Sequence, residues 1–136
     1  MLEEARQRTE RLQQIMKDEG LDVALITDES TIAYFAGFWG YLSVEFGRPS
    51  FLIVRAHDAP IVVTPLMESE MVAAMTWVED VRVWEDMGQR TWGRALAGAL
   101  GEAPGEIWVE KSSIPAIVRN HLDETYPGVP IRDISA

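Results

Sequence analysis

Between Trp39 and Arg48 the chain gathers three aromatic side chains, Trp39, Tyr41 and Phe46, beside one guanidinium, Arg48, in a stretch without helical or strand periodicity. A loop that sets aromatic faces next to an arginine is suited to clamp something planar or anionic. A carboxylate, which matches the guanidinium fork, is the natural ligand. The same residue types also fit a plainer arrangement, in which the rings plug a sheet edge and Arg48 pairs with a neighbouring acid. Residue types alone leave both readings open.

Other chemistry is thinly represented. A metal site needs His, Asp and Glu clustered on one face, as in His-Glu-x-x-His, and no such spacing occurs. His57 falls in an expected hairpin turn and reads as turn polarity. His121 lies seven residues after Ile114 on the apolar side of an expected helix, which suits a core or interface histidine with one hydrogen bond better than a ligand. The acid pairs Glu79-Asp80 and Glu85-Asp86 flank an expected strand, where solvation at the sheet edge outweighs acid/base work. Gly37-x-x-Gly40 and Gly98-x-x-Gly101 follow helical stretches and read as helix terminators, not phosphate cradles. There is no Gly-x-Ser-x-Gly turn and no cysteine, which removes the common serine and thiol nucleophiles. No catalytic residue and no metal ligand is assigned in this chain.

The elements that must position the aromatic loop are set by periodicity. Ala5, Leu12, Ile15 and Met16 space a first helix over Glu3 to Glu19, stopped by Gly20. Asp22 to Thr27 is a short apolar run, as in a buried strand. Asp28 or Ser30 caps a short helix through Thr31 to Phe35 that Gly37 ends. After the loop, Ser50–Arg55 and Pro60–Thr64 form a hairpin around Ala56 to Ala59. Met67, Met71, Ala74, Met75 and Val78 predict a helix with one apolar side, and Val81 to Trp84 the next strand. Trp92, Ala95, Leu96, Ala99 and Leu100 predict another helix, followed by a strand from Glu106 to Glu110. Ser112-Ser113 with Pro115 announces a last helix bearing Ile114, Ile117, Val118 and Leu122, and Pro130 to Ile134 a last strand. The tryptophans fall on core-facing positions, with Trp39 the exception. The alternation with one hairpin predicts an α/β domain over 1–136, its mixed sheet of about six strands flanked by helices.

Composition agrees with one globular unit: 136 residues, 47% apolar and 25% charged. A net charge of −10 with scattered Lys and Arg argues against nucleic acid as a partner. The start Met1-Leu2-Glu3-Glu4 lacks the order of a signal peptide, and no apolar run approaches the roughly 20 residues of a membrane span. A cytoplasmic protein without membrane partners is expected.

Along nearly the whole chain, the order of elements and their wording resemble the creatinase and Xaa-Pro peptidase family. The matching pieces are Arg11-Leu12, Gly20-Leu21-Asp22-Val23-Ala24-Leu25-Ile26 and Tyr34-Phe35-Ala36-Gly37-Phe38, the last similar to a Tyr-Leu-Thr-Gly-Phe motif except at Phe35-Ala36. Phe46-Gly47-Arg48 is similar to a triplet of creatinase-like members, and Arg132-Asp133-Ile134-Ser135 looks like the connection into a following domain.

The resemblance implies a ribonuclease-H-like N-terminal domain without catalytic residues. The chemistry, and two divalent metals (Mn, Co or Zn), would belong to a separate pita-bread catalytic domain. It also implies a homodimer in which Phe46 lines, and Arg48 holds, a peptide or small-molecule substrate by its carboxylate in the neighbouring subunit's active site, with Trp39 and Tyr41 shaping the surroundings. The alternative is a free-standing module that binds a small carboxylate or a partner protein through the same loop.

Overall fold

The computed structural model describes residues 2–39, 49–85, 91–102 and 104–134. Helix α1, Leu2–Glu19, carries Glu3 and Glu4 in its first turn and Lys17 in its last, each sign opposing the helix dipole. It ends in a Schellman arrangement: Gly20 adopts φ 74°, its N–H donates to the Lys17 carbonyl at 3.3 Å, and the Leu21 N–H donates to Met16 at 2.8 Å. Met16 and Leu21 then bury together, so the turn chemistry delivers the chain directly into the core.

The six strands of the sheet lie in the order β4-β3-β2-β1-β5-β6. They are β1 (Val23–Ile26), β2 (Phe51–Arg55), β3 (Ile61–Pro65), β4 (Asp80–Trp84), β5 (Ile107–Val109) and β6 (Ile131–Asp133). Strand β2 runs antiparallel to both neighbours, whereas the pairs β3–β4, β1–β5 and β5–β6 are parallel. The central strands are buried along both faces, which is why they read as unbroken apolar runs. Alternation sorts their side chains. Val23, Leu25, Phe51 and Ile53 face one way, with Leu96, Ala99, Leu100, Val118 and Leu122 from α4 (Trp92–Leu100) and α5 (Ala116–Thr125). Ala24, Ile26, Leu52 and Val54 face the other way, against Met16, Ile32, Ala36 and Val72 from α1, α2 (Glu29–Ala36) and α3 (Ser69–Met75).

The expected mixed six-stranded α/β sheet is therefore observed, and two helices differ from expectation. Instead of a helix beginning at Met67, the chain leaves β3 through a 3-10 turn at Leu66–Glu68, which shifts the phase of α3. Met67 ends 72% exposed, and Val72 is the residue buried from α3. At α5, residues 111–113 form a turn in which the Ser113 and Ile114 N–H groups both donate to the Glu110 carbonyl, so the helix opens only after Pro115.

Fully burying an aliphatic side chain of this size contributes about 1.5–3 kcal/mol. Ile53, on a central strand and without solvent contact, also leaves a cavity when shortened. Ile53→Ala should cost about 2–5 kcal/mol, read from the urea midpoint at an unchanged m-value.

Candidate functional site

The segment from Trp39 to Arg48 leaves from α2 and returns at Pro49. Helix α2 starts on Asp28, whose extended backbone (φ −72°, ψ 129°) and side chain form an N-cap, accepting from the Thr31 N–H at 3.1 Å. It stops on Gly37 in the left-handed region, φ 86°, where a Cβ would meet Leu2 Cδ2 at 3.0 Å.

A helix normally leaves its last four carbonyls without partners. Here each has one. The Ala33 carbonyl accepts from the Gly37 N–H at 3.1 Å and that of Tyr34 from Arg8 Nη1 at 3.2 Å. The Phe35 carbonyl accepts from both the Thr9 hydroxyl at 2.9 Å and Trp77 Nε1 at 2.7 Å, and that of Ala36 from the Thr76 hydroxyl at 2.6 Å. Phe38 then plugs into the core at 1% exposure.

The returning end is held as firmly. The Pro49 carbonyl accepts from the buried Trp84 Nε1 at 2.9 Å, and the Ser50 hydroxyl lies 3.4 Å from that of Thr64. Of the residues expected to contact substrate, Trp39 emerges from the core 48% exposed, in keeping with its exceptional position among the tryptophans. Tyr41, Phe46 and Arg48 lie outside the described residues. Beside the departure point, Arg8 lays its guanidinium 4.3 Å from the centroid of the half-exposed Tyr34 ring and pairs with Glu4 at 3.5 Å.

A second cluster forms where the connections after β1 and β5 diverge, α2 to one face and α5 to the other, which is where open α/β sheets place polar sites. There the Thr31 hydroxyl lies 2.9 Å from Glu110 Oε2 and 3.2 Å from Asp28 Oδ2. Burial, above all, pushes the Glu110 carboxyl upward; Asp28 and Asp133 add to this, and the Thr31 hydrogen bond opposes it. Sequence reasoning passes over Glu110. The available signal is an acid immediately following a buried apolar strand, at the end that faces the divergence.

The acid pairs considered from sequence lead elsewhere. Asp80 is bound by Arg82 at 3.1 and 3.2 Å on the edge strand β4, Glu79 is exposed, and Asp86 lies outside the described residues. His57 is exposed in the hairpin turn. His121 packs edge-on to Trp92, centroids 5.1 Å apart, with Nε2 3.3 Å from the Thr125 hydroxyl. Gly93 permits that packing, because a Cβ there would sit 2.8 Å from the His121 ring. Among the described residues no three His, Asp or Glu side chains are placed to hold a metal ion, and no helix is long and apolar enough to cross a membrane.

Comparison with solved structures identifies the architecture. The creatinase/prolidase N-terminal domain of an X-Pro dipeptidase from Streptococcus pyogenes superposes with TM-score 0.81 at 18% identity, over 96% of this chain and 95% of that one. A prolidase from Thermococcus sibiricus gives TM-score 0.79 at 18% identity, covering 96% of this chain and 34% of its own. In sequence, 85 residues are 31% identical to the agropine synthesis cyclase of Rhizobium rhizogenes, 57% of this chain and 20% of that protein. The chain thus spans about a fifth of the curated relative's length and a third of the prolidase's. The model of the creatinase/prolidase N-terminal domain matches residues 8–136, and the chain belongs to that family.

Proposed function

We propose that this chain serves as the accessory domain of a C–N bond-cleaving hydrolase of the Xaa-Pro peptidase or creatinase kind, helping to assemble a homodimer and presenting the Trp39–Arg48 segment to a neighbouring subunit's active site. The observation that carries this reading furthest is the anchoring of both ends of that segment, at the capped C-terminus of α2 and at Pro49. An anchored base lowers the ordering cost when a ligand is clamped. In this arrangement Arg48 donates to the substrate carboxylate, Phe46 supplies an apolar wall that strengthens that charged contact, and Trp39 and Tyr41 give the site its shape.

The described residues do not fit a metal centre, so the two divalent ions of such an enzyme would be held by a separate catalytic domain. Support for that division of labour comes from the prolidase neighbour, of which this fold occupies a third. The working location proposed is the cytoplasm.

Three outcomes are expected. The purified chain supplied with Mn²⁺ or Co²⁺ should turn over neither Xaa-Pro dipeptides nor creatine; turnover that persists through repurification and responds to point mutation would overturn the accessory role. In a protein joining this chain to its catalytic domain, Arg48→Ala should lower kcat/KM roughly ten- to hundredfold, the worth of a charged hydrogen bond. Unchanged kinetics would reject the clamp. Trp84→Phe keeps an aromatic ring but strands the buried Pro49 carbonyl. It should cost about 1–3 kcal/mol in denaturation and raise KM in the same assay.

A further inference from the structure

We infer that Glu110 holds the proton of a Glu110–Thr31–Asp28 hydrogen-bond chain that latches the first turn of α2 to the end of β5, and that loss of this proton as pH rises loosens that turn.

The three side chains have too few hydrogens if both acids are ionised. Thr31 Oγ1 lies within hydrogen-bond distance of two carboxyl oxygens, Glu110 Oε2 at 2.9 Å and Asp28 Oδ2 at 3.2 Å. A threonine hydroxyl has a single proton to donate, and two ionised carboxylates offer none, so one of the two contacts would be oxygen facing oxygen without a hydrogen. Asp28 is the natural acceptor, because the same Oδ2 also takes the Thr31 backbone N–H at the positive end of the helix. The missing hydrogen then belongs on Glu110. With it, Glu110 donates to Thr31 and Thr31 donates to Asp28, and both short contacts become hydrogen bonds.

The other oxygen of the same carboxyl points the same way. Glu110 Oε1 is buried and, among the described residues, has no hydrogen-bond partner. Leaving carboxylate charge on such an atom is far more costly than leaving a neutral carbonyl there. The charged groups acting on Glu110 across the junction are Asp28 at the start of α2 and Asp133 at the end of β6, both of the sign that favours the neutral acid; Glu29 and Lys111 are the adjacent charges on α2 and after β5. A hydrogen bond donated by Thr31 to the ionised carboxyl would lower the Glu110 pKa; burial outweighs it and raises the pKa from 4.5, in agreement with the proton residing on Glu110, where the direction of that bond reverses.

A carboxyl raised in the folded state contributes its full stability below the unfolded value near 4.5 and loses it as pH climbs through the folded value. This is the reverse of an ordinary salt-bridged acid. The contacts are local to the junction, so the inference stands whether or not the Trp39–Arg48 segment contacts substrate.

The test uses this chain with ¹³C-labelled glutamate. The Glu110 carboxyl should titrate with a midpoint above 4.5, and the hydrogen-exchange protection of the Ile32 amide, which donates to the Asp28 carbonyl at 2.9 Å, should fall as pH passes that midpoint. Glu110→Gln supplies a permanent N–H donor to Thr31, so it should abolish this loss of protection and gain stability over the wild type as pH rises. A Glu110 midpoint at or below 4.5 would overturn the inference, and that measurement needs no variant to fold. So would a stability difference between Glu110→Gln and the wild type that is constant across the titration.

Discussion

The complete satisfaction of the α2 C-terminus is the constraint on which the proposed presentation of the aromatic segment depends. An eight-residue helix is too short to be stable alone. It persists because Arg8, Thr9, Thr76 and Trp77, drawn from α1 and from the connection between α3 and β4, donate to carbonyls that solvent would otherwise have to serve. The Thr76 bond is buried, so removing its hydroxyl would strand a carbonyl where water cannot replace the donor. The helix is thereby welded to two other elements at the point where the chain departs toward Trp39.

Its opposite end obeys a different logic. There the contacts are carboxyls and a hydroxyl, gathered where β1 and β5 lie parallel and their succeeding helices diverge to opposite faces. One end of α2 is held by a guanidinium, two hydroxyls and an indole, the other by a chain whose completeness depends on one proton. The antiparallel strand β2 completes the geometry. It pairs Ile26 with Leu52, which brings the returning segment back beside the strand that launched it, and the Trp84 hydrogen bond secures Pro49 at the end of β4.

How much of this is legible in the sequence depends on whether the physics is local. The helix stops at Gly20 and Gly37 are readable because a positive φ is a backbone requirement that glycine meets at low cost. Strands β1 to β3 are readable because burial on both faces demands continuous apolar runs. Met67 departs from its expected helical place because spacing says nothing about phase when a 3-10 turn after Pro65 rotates the succeeding helix. The start of α5 comes later than expected because Ser112 and Ser113, though good capping types, lose that preference to a turn closed on the Glu110 carbonyl.

The sequence by itself determined the element order, the mixed α/β class, the want of a metal-binding or nucleophilic motif, and the family to which the wording of the strands and of Tyr34 to Phe38 points. Each of these rests on residues close together in the chain. Only the tertiary structure decided that Thr9 and Trp77 would share the Phe35 carbonyl, and that Thr31 would meet Glu110, 79 positions further along the chain. A hydrogen bond needs a donor and an acceptor within about 3 Å, and that proximity is set by strand order and helix placement. No local pattern of residue types encodes those.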